Sequence, residues 1–493
     1  MWMKVQILVL LCFLVCDAYT LSVTLRNFLS NPSRKCYGVV FDAGSSGTRV
    51  YVYKWECRKT FSTPKVDIAE QIPEFKINPG IALFKDNPQE AGPSLEPLIT
   101  YAKKIIPNDQ LSWTPIFLRA TAGMRLITLD QQEAILSSIR KTFKNSGFKL
   151  QKDEWVRVIT GEEEGKFGWV ATNYLHNLIR NDIKPQDTRA MIECGGASVQ
   201  ITFVQPTQPP INKIEVSFPD INTYNLYTFS YLGYGQDRAL EAVIKQRIKP
   251  NNPGIVECPC LHSGYNNTNV YSEDPSLRVI GTGNSTACIE SIASHFNVSN
   301  SCTDCSINGN YYPNIPNGMT IDGVSAFSLP AVFFELKDSS YTTDQLWSVT
   351  EGFCKRNWTD VVKNFGSTHQ ESYLRMECFT AIYMRELLVR AFKIQPTVLI
   401  NANQKIGNVS VAWTLGSILY DMAQLECAPG TEDCIYNDNT TLIVAITVPT
   451  AFVTLLLIVA AIALVTAVVK TRRKDVLTTD GYYTSFDYQE MSP

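Results

Sequence analysis

The hydrophobic and polar positions of this 493-residue chain follow two periodicities. Short apolar runs, rich in β-branched and aromatic residues, are typical of buried strands. Such strands are predicted at residues 37–41, 49–55, 116–119, 156–159, 190–192, 201–204 and 214–218. Apolar residues that recur every three or four positions predict helices at residues 95–106, 129–143, 167–179, 236–248, 343–350, 358–365, 378–392 and 413–423. This alternation of strands and helices indicates an α/β fold rather than a β-sandwich.

Two of the predicted strands end in a carboxylate that is followed by a loop of glycine, alanine and serine. The first loop is Asp42–Thr48 and the second is Glu193–Ser198. Small residues allow backbone N–H groups to converge on an anion, and hydroxyl groups add further donors. The carboxylate can hold a divalent cation, directly or through water, beside a bound phosphate. One such loop is usually only a turn, but two copies of one plan indicate two related lobes that clamp a polyphosphate.

A third polar segment, Gly161–Lys166, carries three consecutive glutamates between two glycines. A Walker A loop has four residues between its glycines, and three carboxylates would repel a phosphate, so we reject a P-loop. One interpretation is structural, because acidic side chains stabilise the N-terminus of a helix. The other is catalytic, with one glutamate polarising a water molecule for attack on phosphorus.

The composition limits the classes of function. A hydrophobic content of 45% and a charged content of 18% are typical of a globular protein. The net charge of −3 gives no electrostatic footprint for nucleic acid. The four histidines lie in no arrangement typical of a nucleophile or a metal site, and no G-x-S-x-G motif occurs. Chemistry with water, carboxylates and a metal ion fits these residues best.

The two ends of the chain indicate a membrane protein. Residues 442–469 are uncharged and exceed the roughly 20 apolar residues that a helix needs to cross a bilayer. The basic cluster that follows is typical of a cytosolic flank, so residues 470–493 are expected in the cytosol. Residues 1–18 resemble a signal peptide, with an uncleaved N-terminal anchor as the alternative. Both interpretations place residues 20–441 in the lumen or outside the cell.

Glycosylation sequons agree with this topology, because all of them precede the apolar segment. They begin at Asn266, Asn284, Asn297, Asn357, Asn408 and Asn439. A chain with 14 cysteines in this compartment is expected to form disulfides. The predicted pairs are Cys36 with Cys57, Cys354 with Cys378, and Cys427 with Cys434.

The remaining cysteines concentrate in residues 249–323, a segment rich in Pro, Asn and Gly that we interpret as a disulfide-rich insertion. In this compartment Cys302-x-x-Cys305 indicates a disulfide rather than a zinc site. Cys194 lies inside the second loop and is expected to be free, which leaves an odd number of cysteines.

These segments resemble, in order and spacing, five motifs of the apyrase or ecto-nucleoside triphosphate diphosphohydrolase family. The matching residues are Phe41–Arg49, Ala120–Arg125, Ile159–Gly165, Glu193–Gln200 and Ala412–Gly416. The resemblance implies two RNase H-like lobes of the actin/Hsp70/hexokinase superfamily, with an active-site cleft between them, to which this chain adds a C-terminal transmembrane helix. Lobe I is then expected at 36–160 and 412–435, and lobe II at 161–411.

The resemblance also implies hydrolysis of nucleoside di- and triphosphates with Ca²⁺ or Mg²⁺. By matching position, Asp42 and Glu193 would hold the metal through water. Glu164 would be the catalytic base, because it directly precedes the well-matched Gly165, and Glu163 is the alternative. Thr121 and Gln200 would orient the attacking water. The phosphates would be bound by Ser45, Ser46, Gly47 and Thr48 on one side and by Gly195, Gly196, Ala197 and Ser198 on the other.

Three residues depart from the family pattern. Most relatives have aspartate in place of Glu193 and leucine or a similar residue in place of Cys194. One extra methylene moves the Glu193 carboxylate by about 1.5 Å, the length of a C–C bond. Leu329 aligns with the aromatic residue that stacks on the base in cell-surface relatives. These departures bear on metal preference and on base selectivity.

Three segments look closer to the Golgi and lysosomal nucleoside diphosphatases, which act on UDP and GDP left by glycosyltransferases. They are the Gly47 form of the first loop, Tyr373–Arg375 and Trp413–Gly416. We therefore expect an endomembrane enzyme, in the Golgi first and at the plasma membrane second. The alternatives are a cell-surface apyrase for extracellular ATP and ADP, a polyphosphatase or pyrophosphatase, and a weakly active nucleotide-binding receptor. Sorting machinery at Tyr483–Phe486 and a homo-oligomer are the further partners considered.

Overall fold

The structure is a computed structural model that describes residues 35–58, 62–68, 72–205, 211–251, 254–298, 302–402, 404–407, 409–425 and 460–471. The predicted signal peptide, residues 442–459 of the apolar segment, most of the tail, Asn408, Asn439, Cys427 and Cys434 lie outside these ranges. Residues 460–471 are helical, with exposed apolar side chains. Within the described ranges, no helix has the length and apolar character that crossing a membrane requires.

The first large sheet has five strands in the order β3-β2-β1-β4-β5. The strands are β1 (Lys35–Ala43), β2 (Thr48–Glu56), β3 (Phe75–Ile77), β4 (Ile116–Ala120) and β5 (Val156–Val158). Strand β1 pairs with β2 in antiparallel orientation and with β4 in parallel orientation, and β4 is parallel to β5. The turn between β1 and β2 is the first loop.

The second large sheet repeats this plan. The remaining strands are β6 (Ala190–Cys194), β7 (Ser198–Val204), β8 (Lys213–Phe218), β9 (Ile221–Leu232), β10 (Ile255–Cys258), β11 (Asn266–Asn267), β12 (Arg278–Gly281), β13 (Ile321–Ser325), β14 (Ser340–Tyr341), β15 (Ile400–Asn401), β16 (Lys405–Ile406) and β17 (Val409–Ser410). The seven-stranded order is β14-β15-β13-β6-β7-β9-β8. Strand β6 is antiparallel to β7 and parallel to β13, as β1 is to β2 and β4. The predicted two-lobe α/β fold is therefore present.

The helices of the α/β unit cover both sheets. They are α1 (Ala91–Ser94), α2 (Glu96–Ile105), α3 (Ala122–Arg125), α4 (Leu129–Lys144), α5 (Gly161–Leu175), α6 (Gln236–Arg247), α7 (Ser285–Phe296), α8 (Ser328–Phe333), α9 (Thr343–Cys354), α10 (Trp358–Phe365), α11 (Glu371–Glu386) and α12 (Trp413–Gln424). The prediction that α5 begins at Phe167 is wrong. It begins at Gly161, because the Thr160 hydroxyl and the Glu163 side chain cap each other's backbone N–H groups.

Helices α5 and α12 connect the two sheets. Helix α5 packs on β6, β7 and β9 and also on α12, which contacts β1 and β2. Gly416 of α12 meets α5 so closely that a Cβ atom there would lie 1.9 Å from the Phe167 carbonyl oxygen. At Gly165 of α5, a Cβ atom would lie 2.6 Å from the hydroxyl oxygens of Thr202 and Thr228. Only glycine permits this approach, which brings the N-terminal ends of both helices to the same region.

The disulfides agree with the sequence in part. Cys36–Cys57 and Cys354–Cys378 are joined as predicted. The disulfide-rich segment contributes Cys260–Cys288 and Cys302–Cys305. Cys258 in the same segment is a buried free thiol, as is Cys194 in the second loop. The predicted end of this segment at residue 323 is wrong, because Ile321–Ser325 forms a central strand of the seven-stranded sheet.

Candidate active site

A cleft of about 480 Å³ opens between the two loops. Its volume falls in the range of small-molecule sites, about 300–1,000 Å³. From the first lobe it is lined by Asp42, Gly44, Ser45, Ser46, Arg49, Thr121 and Ala122, and from the second by Glu193, Gly195, Gly196, Ala197, Ser198 and Ser325. Glu164, at the start of α5, lies between these sets. Most of the residues predicted to act together therefore do meet.

The two loops have the same turn geometry. The N–H of Gly44 donates to the Gly47 carbonyl, and the N–H of Gly195 donates to the Ser198 carbonyl, each at 3.0 Å. The loops also approach each other, because a Cβ on Gly196 would lie 2.9 Å from the Ser45 hydroxyl oxygen. Backbone N–H groups from both loops are thus available to one polyphosphate.

Two predicted phosphate ligands lie away from this surface. Gly47 is buried, and a Cβ there would lie 2.4 Å from the Asn78 side-chain oxygen. Thr48 is fully buried in β2, where its hydroxyl has no hydrogen-bond partner among the described residues. Neither residue lines the cleft, because β2 begins at Thr48 and carries the chain into the sheet. Gly47 accepts the turn hydrogen bond from the Gly44 N–H at 3.0 Å, and Thr48 begins β2.

Asp42 is the penultimate residue of β1 and is paired across the ladder with Arg49. Its Oδ2 lies 3.8 Å from an Arg49 Nη1 atom. Burial raises the pKa of Asp42 to about 6, and the positive charges of Arg49 and Lys76 oppose that rise. The first loop therefore places an anionic group next to the cationic side chains of Arg49 and Lys76, which offset its negative charge.

Glu193 occupies the equivalent position at the end of β6. The hydroxyl of Ser325 donates to its Oε1 at 2.8 Å. Its Oε2 is buried and has no hydrogen-bond partner within the described ranges. Burial raises the pKa of Glu193 to about 7; the bond from Ser325 opposes the rise, and the charge of Asp42 adds to it. Ser325 is a site residue that the sequence analysis missed.

The carboxylates suit a hydrated cation better than a directly bound one. Among the described residues no group of three or more His, Cys, Asp or Glu side chains is placed to hold a metal ion. The unpartnered Oε2 of Glu193, with Asp42 across the cleft, is nevertheless an acceptor that needs a donor. Water molecules of a Ca²⁺ or Mg²⁺ ion supply such donors. The residues present therefore fit a divalent cation held through water.

The structure separates the adjacent acids of α5. Glu163 forms a bidentate ion pair with Arg157, with both N–O distances at 2.7 Å, and completes the helix cap. Although burial opposes it, the bonds from Arg157 and from the Thr160 backbone lower the pKa of Glu163. Glu164 instead faces the cleft and is 7% exposed. The geometry thus favours Glu164 over Glu163 as the candidate base.

A hydrogen-bonded group surrounds Glu164. Arg125 forms an ion pair with its Oε2, and the Gln200 Nε2 donates to the same oxygen at 3.1 Å. Gln200 also contacts the hydroxyls of Ser198, at 2.7 Å, and Ser230, at 2.9 Å. Burial raises the pKa of Glu164 to about 8; Arg125 opposes this, while Glu193 and Asp42 add to it. Sequence reasoning missed Ser230, because it lies on β9, a strand that was not predicted.

Thr121, Gln200 and Cys194 complete the predicted set. Thr121 lines the cleft directly after β4, whereas Gln200 lies behind Glu164 and is 1% exposed. The Cys194 thiol is buried, and burial raises its pKa well above the usual range, so it is a poor nucleophile. None of the four histidines, all of which lie in the described ranges, lines the cleft.

Comparisons with known proteins agree with this geometry. The model of the GDA1/CD39 (nucleoside phosphatase) family matches residues 28–435. Ectonucleoside triphosphate diphosphohydrolase 1 of Bos taurus is 33% identical over 429 residues, covering 79% of this chain and 81% of the relative. Nucleoside-diphosphatase mig-23 of Caenorhabditis briggsae is 26% identical over 481 residues, covering 89% and 86%.

A solved structure supports the fold. The nucleoside triphosphate hydrolase structure from Neospora caninum superposes with a TM-score of 0.57 and 14% sequence identity. The match covers 83% of this chain and 96% of that chain. At this identity the likeness concerns the fold alone.

Proposed function

This chain belongs to the GDA1/CD39 (nucleoside phosphatase) family and is a nucleoside phosphohydrolase, and we propose that it requires Ca²⁺ or Mg²⁺ and prefers nucleoside diphosphates. The observation that carries the proposal is the position of Glu164. Its carboxylate faces a cleft between two anion-binding loops, each headed by a carboxylate. This arrangement suits the attack of water on a terminal phosphate.

Substrate binding follows from the loops. The backbone N–H groups of residues 45–46 and 196–197, with the hydroxyls of Ser45, Ser46 and Ser198, surround the phosphates. Asp42 and Glu193 would hold the divalent cation through its waters. The bound cation supplies positive charge that offsets the charge of the phosphates. The close approach of Ser45 to Gly196 explains how one polyphosphate contacts both loops.

Glu164 acts in its ionised form. It accepts a proton from the attacking water while an oxygen–phosphorus bond forms and the phosphoanhydride bond breaks. The products are inorganic phosphate and the nucleotide shortened by one phosphate. Gln200 and Arg125 fix the orientation of the Glu164 carboxylate, and Thr121 is placed to hold the water. Arg125 also favours the ionised form of Glu164.

We place the enzyme in membranes of the secretory pathway, in the Golgi first, with the catalytic unit in the lumen and UDP and GDP as favoured substrates. The name of the mig-23 relative, a nucleoside-diphosphatase, supports the preference for diphosphates within this proposal. The second candidate is a cell-surface apyrase for ATP and ADP, which the ectonucleoside triphosphate diphosphohydrolase relative supports. A weakly active nucleotide receptor is the third, because Glu193 departs from the aspartate of most relatives.

Substrate profiling of the full-length protein in membranes tests these alternatives. UDP, GDP, ADP, UTP, ATP and pyrophosphate are compared side by side with Ca²⁺, with Mg²⁺ and with a chelator. We expect phosphate release from diphosphates, fastest with UDP and GDP, and its loss in the chelator. Release that persists in the chelator would exclude the metal mechanism. Faster release from ATP would favour the apyrase, and binding without turnover would favour the receptor.

A further inference from the structure

A second large cavity lies beside the seven-stranded sheet and takes no part in the chemistry above. Its volume is about 690 Å³, which is within the range of small-molecule sites. Arg189, Thr320 and Leu399 line it, and they directly precede β6, β13 and β15. The active-site cleft instead meets Glu193 and Ser325, near the other ends of β6 and β13. The two sites are therefore separated by the length of these strands, about 13 Å at about 3.3 Å per residue.

The side chains that line this second cavity give it a positive character. All the lining residues belong to the described part of the chain. Two of them, Arg189 and Lys393, are cationic, and none is Asp or Glu. The active-site cleft, by contrast, is lined by Asp42, Glu164 and Glu193 among others. Cationic side chains without a lining carboxylate favour an anion as the ligand.

Arg189 is held in place at the start of β6 by a buried side chain. The Asn173 side-chain oxygen accepts from the Arg189 N–H at 2.8 Å, and the Asn173 Nδ2 donates to the Arg189 carbonyl at 3.2 Å. The guanidinium Nη1 lies 3.3 Å from both carboxylate oxygens of Asp322, which does not line the cavity. A guanidinium has five N–H donors, so donors remain for a ligand after this pair has formed.

Lys393 supplies the second positive charge, from the segment between α11 and β15. Its Nζ donates to the backbone carbonyls of Cys302, at 3.0 Å, and Thr303, at 2.8 Å. These two bonds fix the position of the ammonium group without neutralising it, because a carbonyl carries no net charge. An ammonium group has three donors, so the third remains for a ligand.

The rest of the lining combines amide and apolar side chains. The amides include Asn317, Gln395 and Asn401, and the apolar residues include Ile315, Met319 and Leu399. A free phosphate ion would fill only a small part of the cavity and would leave the apolar surface uncovered. A lining of this kind instead suits a ligand with an apolar body and one charged group, for which the amides are neutral hydrogen-bond partners.

We propose that this cavity is a second ligand site, which binds a small organic phosphate. Arg189 binds the phosphate group, Lys393 adds positive charge to the same cavity, and Ile315, Met319 and Leu399 contact the apolar body. Guanidinium and ammonium groups form charge-assisted hydrogen bonds with phosphate oxygens, and the planar guanidinium forms two at once. Because no carboxylate lines the cavity, binding here needs no divalent cation, unlike binding in the active-site cleft under the proposed mechanism.

The first test uses phenylphosphonate, which joins a phosphate-like group to a flat apolar ring through a P–C bond that resists hydrolysis. Its binding to the full-length protein in lipid nanodiscs is measured by ligand-detected NMR in the presence of a chelator. We expect phenylphosphonate to bind at least about tenfold more tightly than inorganic phosphate or benzamide, each of which offers only one half of the ligand. Absence of binding, or affinity no higher than that of inorganic phosphate, would overturn the inference.

The second test locates the bound probe with variants at exposed lining positions. The side chains of Asn317 and Gln395 form no hydrogen bond within the described ranges, so their replacement should not disturb folding. Asn317→Glu and Gln395→Glu each place a carboxylate in the cavity and should weaken phenylphosphonate binding about ten- to a hundredfold, whereas Asn317→Lys should tighten it.

Gln151→Glu, at an exposed position just before β5, is the matched control and should bind the probe as the unchanged protein does. Hydrolysis of nucleoside diphosphates should be the same in all four variants, because none of these positions lines the active-site cleft. This readout separates the inference from the proposed function and shows that the variants fold. If the variants at Asn317 and Gln395 bind the probe as tightly as the control does, the probe binds elsewhere and the inference fails.

Discussion

The two carboxylate-headed loops share one turn and differ in what faces their carboxylates. In the first hairpin the residue across from Asp42 is Arg49, whose guanidinium lies 3.8 Å away. In the second hairpin the residue across from Glu193 is Gln200, which bonds to Glu164 instead. The protein therefore balances the charge of the first loop itself, and it links the second loop to the candidate base.

This difference assigns different tasks to equivalent positions. The first hairpin pairs its carboxylate with Arg49 and is closed by the Cys36–Cys57 disulfide. The second carries Glu193 with an unpartnered oxygen, together with the group around Glu164. Damage to the second should therefore lower turnover or raise the metal requirement, whereas damage to the first should lower stability and affinity.

The largest effect is expected from Glu164→Gln. Loss of a general base lowers kcat by about 10²–10⁴-fold while nucleotide affinity is kept. Glu163→Gln is the matched control, because it removes the Arg157 pair and the helix cap from the neighbouring residue and should lower stability rather than kcat. Steady-state kinetics and nucleotide-binding titrations measure both. If Glu163→Gln lowers kcat strongly and Glu164→Gln does not, the general base is Glu163 rather than Glu164.

Opening the first hairpin comes next. Cys36 and Cys57 are 21 residues apart, for which the chain-entropy model gives about 3 kcal/mol of stabilisation. Cys36→Ser should lower the Tm and, because the bond closes the hairpin that carries Asp42, also raise KM. Cys302→Ser opens a bond between residues only 3 apart and should cost less. Thermal unfolding and steady-state kinetics measure these effects. An unchanged KM in Cys36→Ser would show that the disulfide does not support nucleotide binding by the first loop.

The third comparison concerns the metal. Glu193→Gln removes the carboxylate whose Oε2 lacks a protein donor. Outer ligands of this kind contribute about 10–100-fold to metal affinity, so the Ca²⁺ or Mg²⁺ concentration for half-maximal rate should rise by that factor. Glu193→Asp keeps the charge and is the control. If the two variants require the same metal concentration as the unchanged protein, the second loop does not hold the cation.

The smallest expected effect is a shift in the pH profile. Burial places the pKa of Glu164 at about 8, and the charges of Glu193 and Asp42 contribute to the rise. Because only the ionised base accepts a proton, kcat/KM at limiting metal should increase as pH rises toward 8. Saturating cation or Glu193→Gln should move the midpoint to lower pH, since each removes negative charge. Glu164→Gln should abolish the rise.

The sequence predicted those parts of the site in which the chemistry lies on contiguous residues. Both loops and Glu164 are of this kind, because a carboxylate, a glycine turn and hydroxyls stand side by side. Ser230 could not be found this way, since only the register of β7 and β9 brings it opposite Gln200, 30 residues away. Ser325 reaches Glu193 through the pairing of β6 with β13, 132 residues away.

One miss had a signal in the sequence. Thr160 and Glu163 form the capping-box spacing that marks a helix start, and this signal places the start of α5 at Gly161, six residues before the predicted start at Phe167. The correct start changes the chemistry, because residues three and four of a helix point in different directions. Glu163 therefore turns toward Arg157 and Glu164 toward Gln200.

Gly416 has a consequence for how variants of this protein are interpreted. Its missing side chain lets α12 rest on the Phe167 carbonyl of α5, and these two helices begin at Trp413 and near Glu164, which both face the cleft. Any substitution at 416 would push the helices apart and misplace both cleft residues. A mutational scan would therefore score position 416 as sensitively as the base, although it contacts no substrate. Sensitivity to substitution in such a scan measures spacing as well as chemistry.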